Sequence, residues 1–81
     1  NIYIKIITPL YIIPMESEYN FTKRQLQVLR EISKGKQRKT IASKLKISIY
    51  TVDDHIHNLH VKTKTHLWGE LIVFAKDYIS K

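Results

Sequence analysis

Four histidines, His55, His57, His60 and His66, fall within a twelve-residue stretch, and His57 and His60 stand at a spacing of i, i+3. That spacing puts two imidazoles on one helix face, where they can share a metal ion. The set does not close, however. The four rings spread around a helix and no thiolate or carboxylate completes a tetrahedral site, so no metal is expected. Protonation of these rings below a pH of about 6.5 would add positive charge to the surface that carries them. A second group is the basic series Lys34, Lys36, Arg38, Lys39, Lys44 and Lys46, which has no acidic residue between its members. Cations at that density suit phosphate oxygens, which fix the register of a partner without reading its sequence. Catalysis finds no matching residues. With two glycines in the whole chain there is no glycine-rich phosphate loop, and no nucleophile stands at a credible spacing from a base. No enzyme activity, cofactor or small-molecule substrate is expected.

The chain is 81 residues long, which supports one small core. Its formal charge is +7. Near the start Lys5 is outweighed by Glu16 and Glu18, so the whole excess belongs to residues 22–81. A basic folded segment attracts nucleic acid or an anionic membrane through a field that does not depend on sequence. The membrane reading is the weaker one, because the basic residues do not line one face of a helix with bulky apolar residues opposite. The apolar start is too short to span a bilayer and is interrupted by Lys5, Pro9 and Pro14. Cysteine is absent, which excludes disulfides and agrees with a reducing, cytoplasmic location.

These side chains must be positioned by local structure. Ile2, Ile4 and Ile6 alternate with Tyr3, Lys5 and Ile7, which predicts a short extended segment within Asn1 to Pro14. Residues 1–20 then read as the tail of an upstream sensory domain followed by a linker, or as residues ahead of a natural start at Met15. Residues 21–81 read as one helical domain. Thr22 and Gln25 form a capping box, with Phe21 placed to staple onto Leu26. Leu26, Val28, Leu29 and Ile32 supply the apolar face of the first helix, and Gly35 supplies its left-handed end. A short second helix is predicted over residues 38–45, with Ile41, Ala42 and Leu45 inward. After the tight link Lys46-Ile47, Ser48 caps a third helix that buries Val52, Ile56 and Leu59, with Thr63 as a further member. A fourth helix is predicted over residues 67–79.

A short helix, a link of about three residues and a longer helix with a narrow buried stripe are the parts of a helix-turn-helix, whose second member enters a major groove. On that helix Ile49, Tyr50, Asp53 and His57 are expected to project away from the core, with Arg38 among the phosphate-binding cations. The last helix carries two apolar stripes. Leu67, Leu71, Phe74, Ala75 and Tyr78 form one, and Trp68, Ile72 and Ile79 the other. One stripe serves the core, and the expected dimer interface draws on Trp68, Leu71, Ile72, Ala75 and Ile79.

The series Phe-Thr-Lys-Arg-Gln-Leu-Gln-Val-Leu at 21–29, Gly35, Lys39-x-Ile-Ala, Leu45-x-Ile-Ser, Thr51-Val52, His55, Asn58-Leu59 and Lys62 resembles the LuxR/FixJ-type helix-turn-helix domain over roughly residues 21–79. The resemblance implies an all-α, four-helix bundle that binds double-stranded DNA through its third helix. It also implies a homodimer through the last helix, RNA polymerase as a further partner, and fusion to a receiver or other sensory domain. By match to the pattern, Lys39, Thr51, His55 and Lys62 are expected to touch DNA, with Val52 near the groove. Ser48, Asn58 and Lys64 complete the expected DNA face. The chain departs from the pattern in four places. Thr40 stands where a glutamate is common, Asp53 where a lysine is common, Thr63-Lys64-Thr65 where Leu-Gly-Val is usual, and Trp68 where arginine is typical. Asp53 is expected either to read a cytosine edge, to serve the helix dipole, or to oppose binding. The rival expectation is a protein-interaction or dimerisation module that keeps the fold and has lost DNA binding.

Overall fold

Where each helix begins and ends follows from a few side chains. The computed structural model describes residues 19–80, so the strand expected within Asn1 to Pro14 lies outside the described residues. The helices are α1 (Lys23–Ser33), α2 (Arg38–Leu45), α3 (Ile49–Thr63) and α4 (Trp68–Ile79). Thr22 caps α1 through both halves of the predicted box. The Gln25 amide donates to Thr22 Oγ1 and the Thr22 amide donates to Gln25 Oε1, each at 3.0 Å. A cap of this kind contributes about 1 kcal/mol.

Three helices end in the same way. The amides of Gly35 and Lys36 turn back to the carbonyls of Ile32 and Glu31, those of Lys46 and Ile47 to Ser43 and Ala42, and those of Lys64 and Thr65 to Val61 and His60. This double bond pattern needs one left-handed residue. Glycine meets the need at Gly35 (φ 80°), whereas Lys46 (φ 59°) and Lys64 (φ 58°) adopt it against the steric preference of an L-residue. The missing glycine after α3 therefore leaves the turn intact and strained. The start of α4 lacks a capping side chain, since Leu67 carries no acceptor. Glu70 Oε1 compensates by accepting the amides of His66 (2.8 Å) and Leu67 (3.0 Å), and those bonds hold its carboxyl below the usual range.

Every helix contributes to one core: Val28, Leu29 and Ile32 from α1, Ile41 and Ala42 from α2, Val52, Ile56 and Leu59 from α3, Leu71 and Ala75 from α4. Helix α1 packs against both α3 and α4, while α2 packs chiefly against α3. Leu26, expected inside, is only half-buried, and α1 instead buries the polar Gln25 and Glu31. Phe21, expected to staple onto Leu26, joins a cluster of four rings. It stacks on Tyr19 at 5.2 Å and meets Phe74 and Tyr78 edge-on at 6.3 and 5.4 Å. Aromatic pairs in these arrangements contribute about 0.5–1.5 kcal/mol each beyond their buried area. The chain leading into α1 is thereby fastened to α4.

The expected interface on α4 needs correction. Leu71 and Ala75 have no exposed surface, because the period of the helix places both under α1 and α3. Trp68, Ile72 and Ile79 are half-buried and pack against the same core. Burial of a leucine of this kind contributes about 1.5–3 kcal/mol, so neither Leu71 nor Ala75 is available to a partner without unfolding the domain. The apolar residues that α4 and its approach do expose are Leu67 and Val73.

Candidate nucleic-acid interface

The α2–α3 pair forms the helix-turn-helix: the two helices pack on each other, with Ile41 and Ala42 of α2 buried in the same core as Val52 and Ile56 of α3. The turn is short because α2 closes on left-handed Lys46 and Ser48 starts α3 two residues later. Ser48 Oγ caps α3 by accepting the Thr51 amide at 3.0 Å, and the Thr51 hydroxyl lies 2.9 Å from it.

Opposite the buried stripe of α3, Tyr50, Asp54, His57 and Val61 form one exposed line. Their spacings of four, three and four residues place them on one face. Tyr50 is 82% exposed and Val61 63%. Thr51 lies beside this line and is exposed, and His55 and Asn58 are half-buried on the same flank. Two expected contacts turn inward. Val52 has no exposed surface, and Ile49 packs against the core. A residue in the buried stripe cannot reach a base edge, so Val52 supports the reading helix from beneath. Asp54 and Val61 were missed as members of the exposed line, although their helical spacing from Tyr50 was present in the sequence.

The basic residues divide into engaged and exposed sets. The Glu31 carboxylate, 7% exposed, holds Lys44 at 3.2 Å and Lys34 at 3.6 Å. Burial pushes this carboxyl up, and the two ammonium groups more than offset that, holding it below the usual range. Lys62, expected on DNA, donates from Nζ to the Asn20 carbonyl and to Gln25 Oε1, both at 2.8 Å. Its stem therefore runs toward α1 and away from the exposed line. Arg38 lies against Asp53, with Nε to Oδ1 at 2.5 Å and Nη2 to Oδ2 at 2.8 Å. The hydrogen bonds from Arg38 keep the Asp53 carboxyl below its ordinary value. Among the described residues, Lys36, Lys39, Lys46 and Lys64 are exposed and form no ion pair. They border the α2–α3 face at the start and end of α2 and at the end of α3.

Open clefts flank α3. One, of about 480 Å³, is lined by Gln37, Arg38, Lys39, Ile49 and Trp68. Another, of about 470 Å³, is lined by His57, His60, Val61, Lys64, Thr65 and His66. His60 is fixed there by Thr65, with Nδ1 to Oγ1 at 2.7 Å, and Thr63 Oγ1 donates to the Leu59 carbonyl at 2.8 Å. This hydroxyl network holds the α3–α4 turn that the lost glycine would otherwise simplify. Among the described residues no group of three His, Asp or Glu side chains is arranged to hold a metal ion. No helix among them is long and apolar enough to cross a membrane.

Comparison with known proteins agrees with the geometry. The family described as bacterial regulatory proteins, luxR family, matches residues 19–75. A probable transcriptional regulator, ycf29, of Cyanophora paradoxa is 41% identical over 72% of the chain and 28% of its own length. The uncharacterized transcriptional regulatory protein YhcZ of Bacillus subtilis is 40% identical over 78% of the chain and 29% of its own length. The response regulator Rre1 of Synechocystis is 35% identical over 80% of the chain and 28% of its own length. No solved structure matches. The chain thus spans less than a third of the curated relatives it matches. With the capped α1, the short α2, the α3 stripe and the α4 packing all falling inside or beside the matched residues, the chain belongs to the luxR family of bacterial regulatory proteins.

Proposed function

We propose that this chain is the DNA-binding domain of a transcription regulator and that α3 lies in the major groove of double-stranded DNA. The observation that carries the reading is the exposed line Tyr50, Asp54, His57 and Val61, bordered by the exposed cations Lys39, Lys46 and Lys64. A helix presented in this way can meet base edges while the cations meet phosphates on either side. Tyr50 and Val61 suit apolar contact with thymine methyls, and His57 and Asn58 supply hydrogen-bonding groups. Lys36 extends the phosphate-binding border, whereas Lys62 braces α3 against α1.

A homodimer on a two-fold-related site would use the outer sides of Trp68, Ile72 and Ile79 together with Val73, not Leu71 or Ala75. The input signal and any contact with RNA polymerase would involve parts of a longer regulator, and such a protein acts in the cytoplasm beside its DNA.

The test is binding of the chain to a random-sequence duplex as salt is raised. Four phosphate contacts per domain give a slope of log affinity on log salt of about −3.6, or roughly a hundredfold loss between 50 and 200 mM. A protein-interaction module would show weak binding with little salt dependence, and that result would replace this reading.

A further inference from the structure

The Arg38–Asp53 pair joins the two helices of the helix-turn-helix at their rim. Arg38 opens α2 and Asp53 lies in the second turn of α3, and their side chains are 51% and 41% exposed. The carboxylate takes the guanidinium side-on, Oδ1 from Nε and Oδ2 from Nη2. Two parallel bonds fix the plane of the guanidinium as well as its position. A guanidinium has five N–H donors, and Asp53 uses two of them. By the trigonal geometry of the group, both donors on Nη1 and the second on Nη2 point away from the carboxylate.

We propose that Asp53 is a positioning residue and that Arg38, supplied from α2, is the base-reading group that it aims. The proposal rests on the DNA-binding reading given above. Asp53 stands where the resembling pattern has a lysine, so a cation is missing from this flank of α3, and Arg38 laid over the carboxylate returns one. The returned cation differs from a lysine in two respects. The pair has no net charge, so it adds little to sequence-independent attraction. Its free edge is planar and already oriented, which matches the adjacent O6 and N7 acceptors of guanine and costs little side-chain freedom on contact. Asp53 therefore contributes to sequence choice without itself touching a base.

Binding sites are selected from a randomised duplex pool with the wild type, Arg38→Ala, Arg38→Lys, Asp53→Asn and the Arg38→Ala/Asp53→Asn double variant. Affinities for the selected and scrambled duplexes are then measured across salt. The pair is exposed, and circular dichroism melting confirms that each variant is folded. The wild type should prefer guanine at one position by about tenfold. Arg38→Ala should abolish that preference, and Arg38→Lys should not restore it. Asp53→Asn should reduce the same preference to below about threefold while tightening binding to scrambled DNA, and the double variant should match Arg38→Ala. A phosphate contact would instead appear as a uniform loss in Arg38→Ala with the salt slope lowered by about one, and would overturn the proposal. An unchanged consensus in Asp53→Asn would overturn it as well. If the wild type binds no duplex, the functional reading falls together with the proposal, whereas binding with an unmoved consensus removes the proposal alone.

Discussion

Replacing Lys62 by methionine separates a structural role from a DNA contact. The ammonium makes two bonds at 2.8 Å, one to the Asn20 carbonyl and one to Gln25 Oε1. A hydrogen bond to a charged group contributes about 1.5–3 kcal/mol when sheltered. Neither acceptor is orphaned by the change, because Gln25 Oε1 still takes the Thr22 amide and Asn20 is exposed. Solvent screening also weakens the bond to Asn20. The expected loss is therefore about 1–2 kcal/mol in all, with the methionine stem keeping its packing. For a domain of this size that corresponds to a fall in melting temperature of roughly 5–15 °C. The assay pairs thermal melting by circular dichroism with the salt dependence of binding to a random duplex. Melting should fall while the salt slope holds. A variant that melts like the wild type and loses about one unit of slope would refute the reasoning and return Lys62 to the DNA face.

Three further outcomes follow from the same structure. Lys64→Gly relieves the left-handed strain at the end of α3 and should raise stability by about 0.5–1 kcal/mol in urea denaturation, where a loss would show that the turn depends on the lysine side chain. Leu71→Ala should cost about 2–5 kcal/mol by opening a cavity in the core; a variant of unchanged stability that merely loses a dimer in ultracentrifugation would contradict the packing of α4. The Glu31, Asp53 and Glu70 carboxyls are all held below their ordinary values, so the folded state favours their ionised forms. The stability they add is present above the ordinary glutamate value of 4.5 and is lost as pH falls through the lowered values, so the urea midpoint should drop below about pH 4.5, and by less in Glu31→Gln. A midpoint that stays flat to pH 3 in the wild type would contradict those pairings.

The helix boundaries were legible because they rest on local chemistry that a sequence displays directly. Thr22 with Gln25, Gly35 and Ser48 each act within four residues of the backbone they complete. The α3 stripe was legible for the same reason, since Val52, Ile56 and Leu59 follow the helical period. What the sequence did not display is how residues far apart are paired. Glu31 looks like a surface residue of α1 until α2 brings Lys44 to it, and Asp53 looks like a stray acid until the turn sets Arg38 beside it. Lys62 matches a DNA-contacting position by pattern, yet its destination depends on where residue 20 passes. On α4 the period separates two apolar stripes but cannot say which one α1 covers, and the core took Leu71 and Ala75 while drawing Trp68 and Ile72 partly in. Long-range pairing was also what hid the four-ring cluster, whose members come from both ends of the domain.

The most direct test of the DNA-binding reading is a nitrogen-15 correlation spectrum of the 81-residue chain titrated with a random-sequence duplex at low salt. Amide shifts should concentrate on Lys39, Lys46, Tyr50, Thr51, Asp54 and His57, which border or form the exposed face of α2 and α3, while the amides of Val28, Leu29 and Ala75 stay in place. Shifts centred on α4, or none at all with duplex in excess, would contradict the assignment of that face to DNA.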